Sequence, residues 1–309
     1  MHIKRNLGSY TQSKPGPLLI CLAGLHGNEW AGVNALDLLL KMLEVEPITN
    51  PSFTFHGKLV CLLGNLPALR ARTRYIDYDL NRIWEPSKFN GNSALSASNA
   101  ESKQVQMLKE VVDQEIDQFH DGPIVLLDLH TTTAHGGIFT LPTSDPKSLE
   151  IAETMHAPVI TGVIERLPGT CIQFYTNQNA NDIIGLVFEG GQHDDPLSVN
   201  RSIAAVINCM GTIGCVDLAH IENRHNQLLV EYSRGLPKVA DLLYCHSISK
   251  DDNFLMRSGY QNFQKILKGE LLASDRHGAI HSQYEGMILM PLYQTQGQDG
   301  YFIVKPQSN

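Results

Sequence analysis

The chain has 309 residues, 42% of them hydrophobic and 18% charged, with a formal net charge of −8. That length suits one large domain or a large and a small one, at a composition ordinary for globular proteins. The acidic balance excludes general binding to nucleic acid or to an anionic membrane, which takes a basic surface, and no apolar stretch approaches the roughly 20 residues that span a bilayer.

The opening MHIKRNLGSYTQSKPG has no apolar run of the kind a secretory signal needs, so the expectation is a cytoplasmic protein. PLLICLAGLHG (17–27) is short, continuous and apolar between Pro and Gly, which predicts a buried strand. EWAGVNALDLLLKMLEVE (29–46) carries Leu and Ala at helical spacing and predicts a helix stopped by Pro47. GKLVCLLGN (57–65) predicts a second buried strand, and residues 93–119 are helical in their second half. GPIVLLDLHTT (122–132) predicts a third strand, running into polar residues. GGIFTLP (136–142) and APVITGV (157–163) are weaker strand candidates around a short helix. GLVFEGGQ (185–192) predicts a further strand, and residues 197–214 a helix. Apolar strands alternating with helices imply an α/β fold with a mostly parallel or mixed doubly wound sheet.

Near residue 225 the pattern changes to short alternating runs, among them LLVEYS, VADLLYCHS, EGMILMPLY and GYFIVKP, broken by Gly and charged residues. This predicts a larger domain over residues 1–224 and a small all-β domain over 225–309. The six cysteines form no C-x-x-C pair and mostly sit in apolar runs, so they are expected as buried reduced thiols.

In an open α/β sheet, ligands bind beyond the carboxyl ends of the strands. Three predicted strands end there in reactive residues: His26-Gly27-Asn28-Glu29, Asp128-Leu129-His130 and Glu189-Gly190-Gly191. His26 and Glu29 lie between a strand and the helix it feeds, so both can converge on one point, and His130 from a neighbouring strand completes a three-donor set. Two imidazoles and a carboxylate suit Zn2+, with a fourth position for water, whose pKa zinc brings to about 7. Asp128, two residues before His130 on a strand, faces the same side. It either fixes an imidazole or caps a turn. Glu189 either takes and passes on a proton or forms a structural salt bridge. Arg72, Arg74 and Arg82 crowd the stretch 72–82, which is either a solvated loop or a carboxylate clamp, with an arginine also suited to an oxyanion.

Four blocks, GLHGNE (24–29), TRYIDYDLNR (73–82), DLHTTT (128–133) and VFEGGQ (187–192), resemble in order and spacing the succinylglutamate desuccinylase/aspartoacylase family, a branch of the zinc carboxypeptidase-like superfamily. The resemblance implies that His26, Glu29 and His130 hold one Zn2+ per chain and that Glu189 is the general base. It implies that Arg74 polarises the scissile carbonyl, and that Asn81 and Arg82 grip the α-carboxylate of an N-acyl amino acid. Tyr175, fourteen residues before Glu189, matches a substrate-contacting tyrosine. Asn179 stands where aspartoacylases carry an arginine, which argues against N-acetylaspartate as substrate. The tail around GQDGYFIV (297–304) resembles a family module that reaches over the site, with Tyr284 or Tyr293 as a candidate contact.

The leading expectation is hydrolysis of the amide of a small N-acyl amino acid to a carboxylate and a free amino acid. A zinc carboxypeptidase acting on peptides needs the same groups but an open cleft. A zinc-binding sensor without catalysis is the alternative from another class. The expected partner is the small-molecule substrate, with self-association left open.

Overall fold

The computed structural model describes residues 3–88, 99–177 and 182–307. The first half runs β1 (Asn6–Tyr10), β2 (Leu18–Ala23), α1 (Trp30–Thr49), β3 (Lys58–Leu63), α2 (Leu66–Ala71), α3 (Ala100–Asp117), β4 (Ile124–Thr132) and β5 (Phe139–Pro142). Then come α4 (Pro146–Thr154), β6 (Val159–Thr161), α5 (Val163–Arg166), α6 (Cys171–Thr176), β7 (Ile183–Gln192), α7 (Leu197–Thr212) and α8 (Asn226–Tyr232). The remainder is β8 (Val239–Ser247), β9 (Leu255–Met256), β10 (Gln264–Ile266), β11 (Leu271–Asp275), β12 (Gly278–His281), β13 (Gly286–Leu289) and β14 (Asp299–Pro306).

Among the described residues eleven strands form one mixed sheet in the order β1-β3-β2-β4-β7-β5-β6-β8-β14-β13-β10, and β12, β11 and β9 form a separate small sheet. β3, β2, β4 and β7 pair in parallel at its centre. The sheet is doubly wound because its central strands are apolar on both faces. Leu19, Cys21 and Ala23 of β2 pack into the core that holds residues of α1 and α7, while Leu18, Ile20 and Leu22 pack into the one that holds residues of α3 and α6. Five cysteines are buried and Cys245 is half-buried, all as free thiols.

Three local expectations differ. Pro47 does not stop α1, which runs on to Thr49. Proline's fixed φ is compatible with a helix, and near the end it forfeits only one backbone bond. LLVEYS is not a strand, since Asn226–Tyr232 form α8, whose Leu229 is buried against the larger core. The β-rich tail also does not stand wholly apart, because β8 pairs in parallel with β6 and extends the main sheet.

The chain order reverses about β2, which has β3 on one side and β4 on the other. The carboxyl ends of β2, β4 and β7 therefore flank the crevice in which doubly wound sheets bind ligands.

Candidate active site

β2 ends at Ala23, and a tight turn brings the chain to α1. Gly27 in this turn lies so close to the end of α2 that a Cβ would come within 2.0 Å of the Ala68 carbonyl carbon. Its N–H donates to the Arg74 carbonyl at 3.1 Å, tying the turn to the arginine-rich segment. His26 and Glu29 flank this glycine, and His130 comes from the end of β4; all three side chains are buried. Glu29 lies between the two imidazoles, with Oε1 2.8 Å from His26 Nδ1 and Oε2 3.0 Å from His130 Nδ1. Oε2 also accepts the Thr131 N–H at 3.0 Å.

Each imidazole is backed by a second carboxylate. His26 Nε2 lies 3.0 Å from Asp79 Oδ1, and His130 Nε2 lies 2.7 Å from Asp128 Oδ2. An N–H on each Nε2 satisfies Asp79 and Asp128, which turns both Nδ1 lone pairs onto the acceptor oxygens of Glu29. Lone pairs facing lone pairs repel unless a cation or proton sits between them. The donor atoms of His26, Glu29 and His130 all lie within 4.8 Å of one another. Two imidazoles and a carboxylate oriented by outer carboxylates fit a divalent cation. Without one, protons carry the charge. Burial disfavours the His130 imidazolium, but Asp128 and Glu29 outweigh it and hold its pKa well above the usual histidine range. Burial likewise opposes ionised Glu29, but His26 and His130 hold it well below the ordinary carboxylate value.

Residues 74–82 wrap one side of this cluster. Asp79 caps a short turn over Leu80–Arg82, accepting the Asn81 N–H at 2.9 Å. Its Oδ2 accepts from Arg74 at 3.0 Å (Nε) and 2.9 Å (Nη2), and Arg74 Nη1 lies 3.7 Å from Glu29. The segment is anchored from behind by buried Glu101 at the start of α3, which accepts the N–H groups of Ile76, Asp77 and Tyr78 and the side-chain amide of Asn65. Asn81 Oδ1 accepts the Cys171 N–H at 2.8 Å. Arg82 donates to the Asn81 carbonyl at 2.8 Å and to Asp299 Oδ2 at 2.5 Å.

Glu189 on β7 lies in register with His130. It is buried, and its Oε2 has no hydrogen-bond partner among the described residues. Burial pushes its pKa up to about 8, against the opposing pull of His130. A cavity of about 110 Å³ is lined by His26, Glu29, Arg74, Asn81, Arg82, His130 and Glu189 together. His193 also lines it, holding Thr131 Oγ1 at 2.7 Å through Nδ1. The far wall comes from the tail, where Met290, Leu292, Gln294 and Asp299 reach the cavity. Asn28 donates to Gln294 Oε1 at 2.8 Å, and Thr133 donates to the Pro291 carbonyl at 3.0 Å, so the tail segment is strapped across the strand ends.

Not every expected residue arrives. Tyr175 does not line the cavity: it sits in the core with Trp84 and Phe174, and its hydroxyl donates to Asp113 at 3.1 Å. The helical turn of α6 directs it into the core, a direction that sequence spacing does not reveal. Tyr293 donates to the carbonyls of Arg257 and Tyr260, and Tyr284 packs on Tyr244, so neither reaches the cavity. Asn179 lies outside the described residues. Conversely, Asp79, Glu101, His193 and Asp299 carry contacts that sequence reasoning did not assign. Asp79 and Asp299 at least stand inside motif blocks, TRYIDYDLNR and GQDGYFIV. Glu101 and His193 give no such signal.

The family model described as the succinylglutamate desuccinylase/aspartoacylase catalytic domain matches residues 15–209. A succinylglutamate desuccinylase of Serratia proteamaculans is 29% identical over 180 residues, covering 54% of this chain and 50% of the relative. The chain thus matches about half the length of that curated relative. A succinylglutamate desuccinylase/aspartoacylase structure from Rhodobacter sphaeroides superposes with a TM-score of 0.65 at 15% identity, covering 95% of this chain and 87% of that one. Murine aminoacylase 3 does so with a TM-score of 0.58 at 16% identity, covering 95% and 96%. At such identities these structures speak for the fold alone.

Proposed function

The chain belongs to the succinylglutamate desuccinylase/aspartoacylase family, and from that premise we propose that it hydrolyses the amide bond of a small N-acyl amino acid, releasing a carboxylate and a free amino acid, with one Zn2+ per chain held by His26, Glu29 and His130. The observation that carries the reading is the pair of buried imidazoles turned through Nδ1 onto one carboxylate and backed through Nε2 by Asp79 and Asp128. Zinc bound there supplies Lewis acidity toward a carbonyl oxygen and lowers the pKa of water.

The chain's own residues supply the rest. Glu189 lines the cavity, has one oxygen without a hydrogen-bond partner among the described residues and a pKa raised to about 8, so it can take a proton from water and deliver it to the leaving nitrogen. Arg74, held by Asp79, presents its guanidinium to the carbonyl oxygen as negative charge develops there. Asn81, with its Oδ1 tied to the Cys171 N–H, keeps its amide donors for a substrate carboxylate beside Arg82, which orients the amide for attack.

On this reading residues 1–224 form the domain that carries the reacting groups, and residues 225–309 form a module that roofs the cavity. The tail strapped over the strand ends argues for a small acyl amino acid over a peptide, because it narrows the room above the cavity. The test is a turnover screen of zinc-loaded protein against N-acetyl and N-succinyl amino acids and hippuryl-type peptides. Turnover of acyl amino acids is expected. Hydrolysis of the peptides alone, or of nothing, overturns the proposal.

A further inference from the structure

The cavity offers little positive charge that is not already balanced. Its arginines among the described residues are Arg74 and Arg82. Arg74 is held by Asp79 through two nitrogens and lies near Glu29. Arg82, the residue matched to the substrate's carboxylate, already donates to Asp299 at 2.5 Å and to the Asn81 carbonyl. Asp299 stands on β14, 217 residues away in sequence, and its side chain is mostly buried like that of Arg82. The guanidinium therefore keeps donors for one arriving carboxylate, but its charge is neutralised for a second.

The wall beside this pair is apolar. Leu141, Ile164, Ile172, Val187, Met290 and Phe302 line the cavity, from β5, α5, α6, β7, the tail loop and β14. All six pack in or against a single hydrophobic core cluster. An ionised carboxylate loses its hydration against such a wall and finds no arginine or lysine there among the described residues in return. An apolar chain gains by leaving water there.

Resting on the deacylase reading, we infer that the substrate carries one carboxylate and an apolar side chain or acyl chain, and that Asp299 is the residue that turns away a second carboxylate. Asp299 balances the Arg82 guanidinium, and the aliphatic wall receives the apolar group. Specificity then comes from both attraction and repulsion.

The experiment is calorimetric binding to zinc-loaded Glu189→Gln, which measures recognition without turnover, using N-acetyl-L-leucine and N-acetyl-L-aspartate. Leucine binding at least tenfold tighter is expected. Equal or tighter binding of the aspartate, or binding of neither, overturns the inference. Adding Asp299→Asn should narrow the ratio at least fivefold by improving aspartate binding, and an unchanged ratio removes Asp299 from the selection. Wild-type turnover of the same two compounds keeps the two readings apart. Tight leucine binding without hydrolysis overturns the deacylase reading and leaves the binding preference standing.

Discussion

The floor and the roof of the cavity are built in opposite ways. The floor consists of strand ends: His26 and Glu29 follow β2, His130 closes β4 and Glu189 faces it from β7 in parallel register. His130 and Glu189 are aimed by the strands that carry them, and His26 and Glu29 by the turn from β2 into α1, over a sheet buried on both faces. The roof is the loop between β13 and β14 with the first residue of β14, held by individual side-chain bonds such as Asn28 to Gln294, across 266 residues, and Arg82 to Asp299, across 217. Groups that do chemistry need the rigidity of packed backbone, because small displacements cost large factors in rate. Groups that select the substrate can ride on a loop or at the end of a strand, where sequence can change with less disturbance to the sheet.

The sharpest way to break this comparison is at Glu189. Glu189→Gln keeps the shape of the floor and removes the proton acceptor, so turnover should fall by about 10²–10⁴ while metal content is unchanged. Metal analysis beside steady-state kinetics checks both, and wild-type turnover in a zinc-loaded variant would take the floor out of the chemistry. Next is Asp128→Asn, which disturbs only the oxygen behind the His130 Nε2. Zinc affinity, read by chelator competition, should fall by about 10–100-fold. No change would mean that the imidazole is oriented by strand packing alone.

A roof change should be milder. Gln294→Ala deletes one hydrogen bond between roof and floor. A net contribution of about 0.5–1.5 kcal/mol corresponds to a KM raised by about two- to tenfold with kcat retained. A collapse of kcat would show the roof to be part of the reacting machinery.

A further effect is in stability against pH, measured on metal-free protein. The folded-state pKa of Glu189 stands near 8, above its ordinary value of 4.5. Between those values the folded carboxyl keeps its proton while the unfolded one has released it. The folded state thus binds more protons, and its stability falls as pH rises. Glu189→Gln removes that slope, so the variant's melting temperature should gain on wild type from pH 5 to pH 8. A constant difference would mean that Glu189 is ionised in the fold.

The structure differs from the sequence expectations mainly where long-range packing decides. The strand ends were legible because each signal is local: an apolar run, a glycine turn and a polar residue within about a dozen positions. The pairing of Asp128 with His130 follows from the two-residue period of a strand. Tyr175 went astray because spacing to Glu189 says nothing about the side of α6 on which it falls, and that side faces Trp84, Phe174 and Asp113. The tail tyrosines failed for the same reason, since Tyr293 is spent on two backbone carbonyls of its own region.

By itself the sequence determined the alternation of strands and helices, the strand ends that carry His26, Glu29, His130 and Glu189, and the family. Periodicity and turn chemistry are properties of neighbours along the chain. Only the tertiary structure decided that Asp79 backs His26, that Glu101 anchors the loop from 76 to 78, and that Asp299 holds Arg82. Those partners come from elements whose meeting depends on the packing of the whole sheet, and a local pattern records which face a residue takes but not what stands opposite it.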